Sequence, residues 1–108
     1  MKIYPVMIAM VKAVHALSRK VQRFEPDVAR QMRRSSSSVP LNAVEGWYAH
    51  GGNRVARLST ALSEAKETIA ALDLSVACGY LRQAEVEREL DLLDHIAAVM
   101  WKLCRTRN

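Results

Sequence analysis

The chain has 108 residues, with 16 Lys and Arg against 11 Asp and Glu and a formal net charge of +5. Half of the residues are apolar, yet only 6% are aromatic, and there are four glycines and three prolines. This composition argues against a β-sandwich or β-barrel, which needs aromatic and β-branched strands joined by many turns, and it favours helices. A chain of this length can bury a core as one domain without disulfides.

Neither a targeting segment nor a membrane span is predicted. The apolar stretch after Lys2 is interrupted at Lys12, and no small-residue cleavage site of a secretory signal follows. No segment approaches the roughly 20 apolar residues of a membrane span. Cys78 and Cys104 lack the spacing of a metal or redox pair. We therefore expect a cytoplasmic protein with reduced cysteines, no metal and no cofactor.

Apolar side chains recur at steps of three and four residues in four segments, and this spacing predicts four helices. Their approximate bounds are 4–24, 26–50, 53–78 and 82–106. The connections are short, so consecutive helices should be antiparallel neighbours. The expected fold is an all-α, up-down-up-down four-helix bundle that spans residues 1–108 as a single domain. The first apolar seam extends to Phe24, Pro26 suits the first turn of the second helix, and Gly79 suits the residue after the third.

The second segment admits two interpretations. Its middle, RRSSSSVP, has the composition of a linker, because serine hydroxyls compete for backbone partners and Pro40 disfavours helical geometry at the preceding residue. The alternative is a kinked helix, in which Ser36, Ala43 and Gly46 place small side chains on nearly one face and let a neighbouring helix approach closely. The sequence His-Gly-Gly-Asn at 50–53 then forms a turn.

The fourth segment has two apolar rows where one bundle core needs only one. The second row is Leu92, Ile96, Val99 and Leu103. A helix with so wide an apolar face is either deeply buried or packs against a second partner. We expect self-association through this row, together with Trp101, Trp47 and Tyr48. The alternative is a wide core face within a single bundle.

Positive charge is concentrated in the first half of the chain. Residues 1–54 contain nine Lys and Arg against three Asp and Glu, a net charge of +6, while residues 55–108 contain seven against eight, a net charge of −1. Because the first two helices are predicted neighbours, their cations should merge into one surface that binds the phosphates of nucleic acid in a salt-dependent way. The predicted contacts are Lys12, Arg19, Arg23, Arg30, Arg33, Arg34 and Arg54.

Two alternatives apply to this surface. The cations of the second helix can instead pair with Glu25, Asp27 or Glu45, since charge runs on helices are usually solvated faces. Trp47 and Tyr48 can either stack on bases or pack within the protein.

Catalytic chemistry is not predicted. The three histidines share no metal-ligand spacing with a carboxylate pair, the ExxH repeats of a di-iron bundle are absent, and the Gly51-Gly52 pair lacks the GxxxxGK of a phosphate loop. We therefore expect a protein that is not an enzyme and has no catalytic residue. Glu45, beside Gly46, is expected to pair with Arg33 or Arg34 and to hold a bend in the second helix.

The segment from Gln31 to Gly46 resembles a known family, the four helix bundle proteins encoded within intervening sequences of bacterial 23S ribosomal RNA genes. The family pattern is similar to QIRRAxxSxPxNIAEG followed by an aromatic residue, which is Trp47 here. The matching residues are Gln31, Arg33, Arg34, Ser38, Pro40, Asn42, Glu45 and Gly46. A second block, from Leu58 through Ala61-Leu62 to Gly79-Tyr80-Leu81, is similar to the family's third helix and its GYL ending. The departures are Ala43-Val44, where the family usually has Ile-Ala, and a shortened first junction.

The resemblance implies that the second segment is a Pro-kinked helix, with Pro40, Glu45 and Gly46 at the kink. It also implies a homopentameric ring, because family members and the related accessory variability determinant proteins of diversity-generating retroelements assemble in that way. Those accessory proteins work beside a reverse transcriptase and are associated with nucleic-acid binding. We therefore expect a non-enzymatic homo-oligomer that binds RNA or DNA, as an accessory to a nucleic-acid enzyme. The alternative is a structural or protein-interaction module without nucleic-acid binding.

Overall fold

The structure, a computed structural model, describes residues 1–105. These residues form four helices and no strand. The helices are α1 (Tyr4–Gln22), α2 (Pro26–Tyr48), α3 (Gly51–Ala77) and α4 (Gln83–Arg105). Each helix packs against the next, and α1 also packs against α4, within a body of 44 × 22 × 20 Å. This arrangement confirms the predicted all-α four-helix bundle. The predicted last residue of the fourth helix, 106, lies outside the described residues, and no helix within them is long and apolar enough to cross a membrane.

The core lies along the axis of the bundle and receives apolar side chains from all four helices. The largest fully buried side chains are Met7, Met10, Val14, Val21, Met32, Val39, Leu58, Leu72, Val86, Leu93, Ile96 and Met100. Phe24 lies outside this core, because α1 ends at Gln22 and leaves the ring 56% exposed. The Phe24 ring stacks on Tyr80, with ring centroids 5.6 Å apart. The predicted first seam therefore extends one position too far.

The serine tract is helical. Because α2 continues without a break through Pro40, the linker interpretation of this segment is wrong. Ser35 and Ser36 are buried. Ser35 Oγ lies 2.8 Å from Thr68 Oγ1 of α3, and Ser36 Oγ donates to the Arg33 carbonyl oxygen at 3.3 Å. Since these hydroxyls have partners inside the bundle, they are compatible with a helical backbone.

Small residues let α2 approach α3 closely. Ser36, Ala43 and Gly46 are all buried, as expected for one small-residue face. A Cβ atom on Gly46 would lie only 2.8 Å from Cγ and Cδ2 of Leu58 on α3. Glycine is therefore required here by the separation of the two helices, while its backbone remains helical.

Glu45 forms an ion pair with α3. Its carboxylate is 60% exposed and pairs with Arg57 of α3, with Arg57 Nε 3.1 Å from Glu45 Oε2. The predicted pairing with Arg33 or Arg34 is wrong, because residues three turns apart on one helix are separated by about 17 Å.

The α2–α3 connection lies two residues earlier than predicted. Only Ala49 and His50 lie between the two helices, and Gly51 begins α3 with φ of +58°. Glycine lacks a Cβ atom and adopts a positive φ without steric cost, so it suits this position. At the other end of α3, Gly79 follows the C-cap residue with φ of +79°, which confirms its predicted role in ending the helix.

The second apolar row of α4 is part of the core. Ile96 is fully buried, and the other three members are partly buried against core side chains. This burial favours the wide-core alternative, and α4 packs against both α1 and α3. The assignment of Ile96 to a subunit interface is wrong, since its side chain is inaccessible. Trp101 is 50% exposed and Tyr48 is 77% exposed.

Candidate nucleic-acid interface

The outward-facing seam between α1 and α2 brings their basic stripes together. His15 Nε2 lies 2.9 Å from Ser37 Oγ, and Arg33 Nη1 donates to Gln22 Oε1 at 3.3 Å. Lys12 and Arg19 lie three residues before and four residues after His15, so they share its face of α1. Lys12 and Arg19 of α1 and Arg33 of α2 therefore flank one seam.

A groove opens on the outer face of α2 beside this seam. We call it the cationic groove; its volume is about 760 Å³. It is lined by His15, Arg30, Arg33, Arg34, Ser37, Ser38, Leu41, Asn42, Glu45 and Arg57. Four arginines and one glutamate thus border it, with Arg57 contributed by α3.

Most of these arginines already have carboxylate partners. Arg30 Nη2 lies 2.5 Å from Asp27 Oδ1, one of the pairings anticipated from the sequence. Arg57 pairs with Glu45, and Arg34 pairs with acids of α3. Within residues 1–105, Arg33 is the groove arginine without a carboxylate partner. The charge of the groove is therefore lower than the count of its arginines suggests.

Arg34 links α2 to two carboxylates of α3. Its Nη1 donates to Glu64 Oε2 at 2.9 Å, and its Nη2 also hydrogen-bonds to Glu67. The hydrogen bond with Glu64 raises the pKa of Arg34. Burial opposes ionisation of Glu64, but hydrogen bonds to Arg34 and Glu67 bring its pKa below the ordinary value. The hydrogen bond with Glu64, together with burial, raises the pKa of Glu67. Arg34 thus bridges two carboxylates of α3 and links the two helices.

The remaining predicted contacts are Lys12, Arg19, Arg23 and Arg54. Lys12 and Arg19 are exposed and, among the residues that the structure describes, have no carboxylate partner. Arg23 lies over the Phe24 ring at 6.0 Å. Arg54 lies away from the cationic groove: its Nη1 donates to the Trp47 carbonyl oxygen at 3.4 Å, and its guanidinium lies 5.6 Å from the Trp47 ring centroid. Arg54 therefore caps the C-terminus of α2, a position that favours a cation.

A second groove, of about 430 Å³, continues from the cationic groove toward the N-terminus of α1. We call it the apolar groove. It is lined by Tyr4, Ile8, Val11, Ser37, Pro40, Leu41, Val44 and Glu45. Three of these residues, Ser37, Leu41 and Glu45, line both grooves. Trp47 lies elsewhere, in a groove shared with Val99 and Leu103 of α4.

The sequence prediction missed the non-arginine residues of this surface and the arginine from α3. Ser37 and Leu41 are three and seven residues beyond Arg34, on the same face of α2, so helical spacing could have identified them. Arg57 had no comparable signal, because its position depends on how α3 packs against α2. Within the described part of the chain, no group of three His, Cys, Asp or Glu side chains is placed to hold a metal ion.

Comparison with protein families gives a match over residues 1–102 to the 23S rRNA-intervening sequence proteins. The chain belongs to this family. A crystal structure of a protein of unknown function from the S23 ribosomal protein family of Bacteroides thetaiotaomicron is similar, with a TM-score of 0.88 and 20% identity. The similarity covers 96% of this chain and 99% of that chain, and it shows the fold. No curated protein matches the chain. The 23S rRNA-intervening sequence resemblance drawn from the α2 motif is thus confirmed, and nothing in these relatives points to catalysis.

Proposed function

We propose that this 23S rRNA-intervening sequence protein is a cytoplasmic, non-enzymatic nucleic-acid-binding protein. It binds RNA or DNA phosphates through the basic surface of α1 and α2, works as a homo-oligomeric ring of five chains, and serves as an accessory to a nucleic-acid enzyme such as a reverse transcriptase. A ring would repeat a weak contact around its circumference and convert it into useful avidity.

One observation carries this proposal: the two basic stripes meet at a single seam. Lys12 and Arg19 on α1 and Arg33 on α2 flank the seam without a carboxylate partner among residues 1–105. Unpaired cations on one face attract phosphates and release counterions on binding, with little dependence on base sequence.

A second candidate function has its own support. Arg30 and Arg34 are already paired with carboxylates, which lowers the charge available to phosphate. This pairing favours a structural or protein-interaction module in which the assembly itself is the functional object and the charge maintains solubility.

Salt-titrated binding separates the two functions. Fluorescence anisotropy with labelled RNA, single-stranded DNA and duplex DNA should show binding at low ionic strength that weakens steeply as salt rises. No binding to any of these probes at low salt would contradict the nucleic-acid proposal and favour the interaction module.

A charge-matched pair of variants locates the contact. Replacing Arg19 and Arg33 with glutamine should make the salt dependence of log K shallower by about 1.5, since each phosphate contact contributes roughly 0.7–0.9. The control replaces Arg88 of α4 and Lys66 of α3, both exposed, with glutamine and removes the same charge elsewhere. Equal effects of the two double variants would show that net charge alone, and not the seam, attracts the probe.

The assembly has an independent test. Light scattering of the wild-type protein should give a mass near five times the chain mass of 12.1 kDa. Trp101 and Tyr48 are exposed aromatic residues suited to contacts between copies. A monomer mass would contradict the ring.

A further inference from the structure

The cationic and apolar grooves form one trough along α1 and α2. Their shared residues, Ser37, Leu41 and Glu45, make the two openings continuous. The chemistry changes along the trough: arginines border the end near the start of α2, and apolar side chains border the end near the start of α1. On α2 the trough runs from Arg30 to Glu45, a rise of about 22 Å.

The apolar end of the trough is accessible. Leu41 is 67% exposed, Ile8 is 44% exposed and Tyr4 is 41% exposed. Leu41 lies at the boundary, because it lines the cationic and the apolar groove alike. A short polymer lying in the trough would therefore contact cations and exposed apolar side chains at the same time.

These two chemistries together distinguish between forms of nucleic acid. A duplex presents phosphates and sugars and keeps its base faces stacked inside, so it would use the cations and leave the apolar side chains exposed to water. A single strand exposes base faces, which pack on aromatic and apolar side chains while the phosphates bind cations. The composition of the trough fits the single strand.

We propose that the trough binds single-stranded RNA or DNA in preference to duplex, with phosphates at the cationic groove and bases against Tyr4, Ile8 and Leu41. This inference rests on the proposed function of the basic surface. It adds the form of nucleic acid that the protein selects and the side chains that select it.

The test compares four labelled probes of equal length by fluorescence anisotropy at low ionic strength, where the proposed function predicts binding. They are single-stranded RNA, single-stranded DNA, duplex DNA and an abasic DNA strand that keeps the phosphates without the bases. The abasic strand isolates the base contribution, because it has the charge of the single-stranded DNA. We expect the intact single strands to bind about tenfold more tightly than the abasic strand and the duplex. The ratio of RNA to DNA affinity reports any contact with the 2′-hydroxyl group.

A matched pair of variants tests the apolar end. Leu41→Gln adds a polar group within the trough, while Leu74→Gln makes the same change on α3, where Leu74 is 45% exposed outside the trough. Glutamine is a good helix former, so both variants should keep the helical content of the wild type, which circular dichroism checks. Leu41→Gln should weaken binding of the intact single strands about fivefold and leave the abasic strand and the duplex unchanged. Leu74→Gln should change none of these affinities.

Three other results would overturn the inference in different ways. Equal affinity for intact, abasic and duplex probes would leave phosphate binding in place and exclude base contacts. A smaller mass for Leu41→Gln in light scattering would show that a second copy of the chain covers the apolar groove. Failure of every probe to bind would remove the proposed function together with the inference.

Discussion

Replacing Gly46 with alanine adds one methyl group where α2 lies closest to α3. The new Cβ would lie 2.8 Å from Cγ and Cδ2 of Leu58 and 3.1 Å from its backbone nitrogen. The Leu58 side chain is fully buried and has no route into solvent. Its backbone nitrogen moves only if α3 moves. The methyl group is therefore accommodated by separating two packed helices or by forcing Leu58 out of its preferred rotamer.

The expected cost follows from two opposing effects. Inserting a methyl group into a packed interior costs about 1–3 kcal/mol. Alanine in a helix interior is more favourable than glycine by about 1 kcal/mol. We therefore expect Gly46→Ala to lower the free energy of unfolding by about 1 kcal/mol, which corresponds to a fall of roughly 4–8 °C in Tm for a domain near this size.

Urea unfolding followed by far-ultraviolet circular dichroism, at one fixed protein concentration, measures this change. Gly52→Ala is the control, because a Cβ on Gly52 has no neighbouring atom within 4 Å. In a Leu58→Ala background most of the cost of Gly46→Ala should disappear, since Cγ and Cδ2 of the leucine are gone and only the backbone nitrogen remains close. Two results would refute a steric clash with Leu58. One is equal stability of Gly46→Ala and Gly52→Ala, and the other is an undiminished loss of unfolding free energy from Gly46→Ala in the Leu58→Ala background.

Two ion pairs give further predictions, each measured by thermal unfolding at neutral and acidic pH. The hydrogen bond from Lys20 lowers the pKa of Glu85 to about 2. The stabilisation of the folded protein by this pair is therefore fully present above the ordinary glutamate pKa and is lost as pH falls toward about 2. Lys20→Met should therefore lower Tm at neutral pH and leave it nearly unchanged at about pH 2. An equal fall in Tm at both pH values would contradict the ion pair between Lys20 and Glu85. Arg34→Met should cost about 1 kcal/mol at neutral pH, because it leaves two neighbouring carboxylates without their cation. This loss should shrink in acid, as Glu64, whose pKa is lowered in the folded protein, becomes protonated. Arg30→Met, which removes an exposed pair on the same helix, is the control and should have almost no effect.

Local sequence and tertiary contacts determine different features of α2. The motif around Pro40 indicated a kinked helix where composition alone indicated a linker, and the segment is helical throughout. Composition was misleading because Ser35 finds its hydrogen-bond partner, Thr68 of α3, only in the folded bundle. Glu45 was misassigned for a related reason: its partner, Arg57, comes from a helix whose rotation and height are not contained in local spacing.

Apolar spacing by itself determined the four helices, the bundle and most core positions, because a helix that buries one face must repeat apolar residues every three or four positions. Charge counting by itself placed the surplus cations on α1 and α2. Only the tertiary structure decided which cations remain available: it pairs Arg34 with α3, uses Arg54 to cap α2 and leaves Arg33 facing the seam. It also placed Ile96 in the core. Spacing along one helix determines the face on which a residue lies, whereas the residue opposite it depends on how the helices pack.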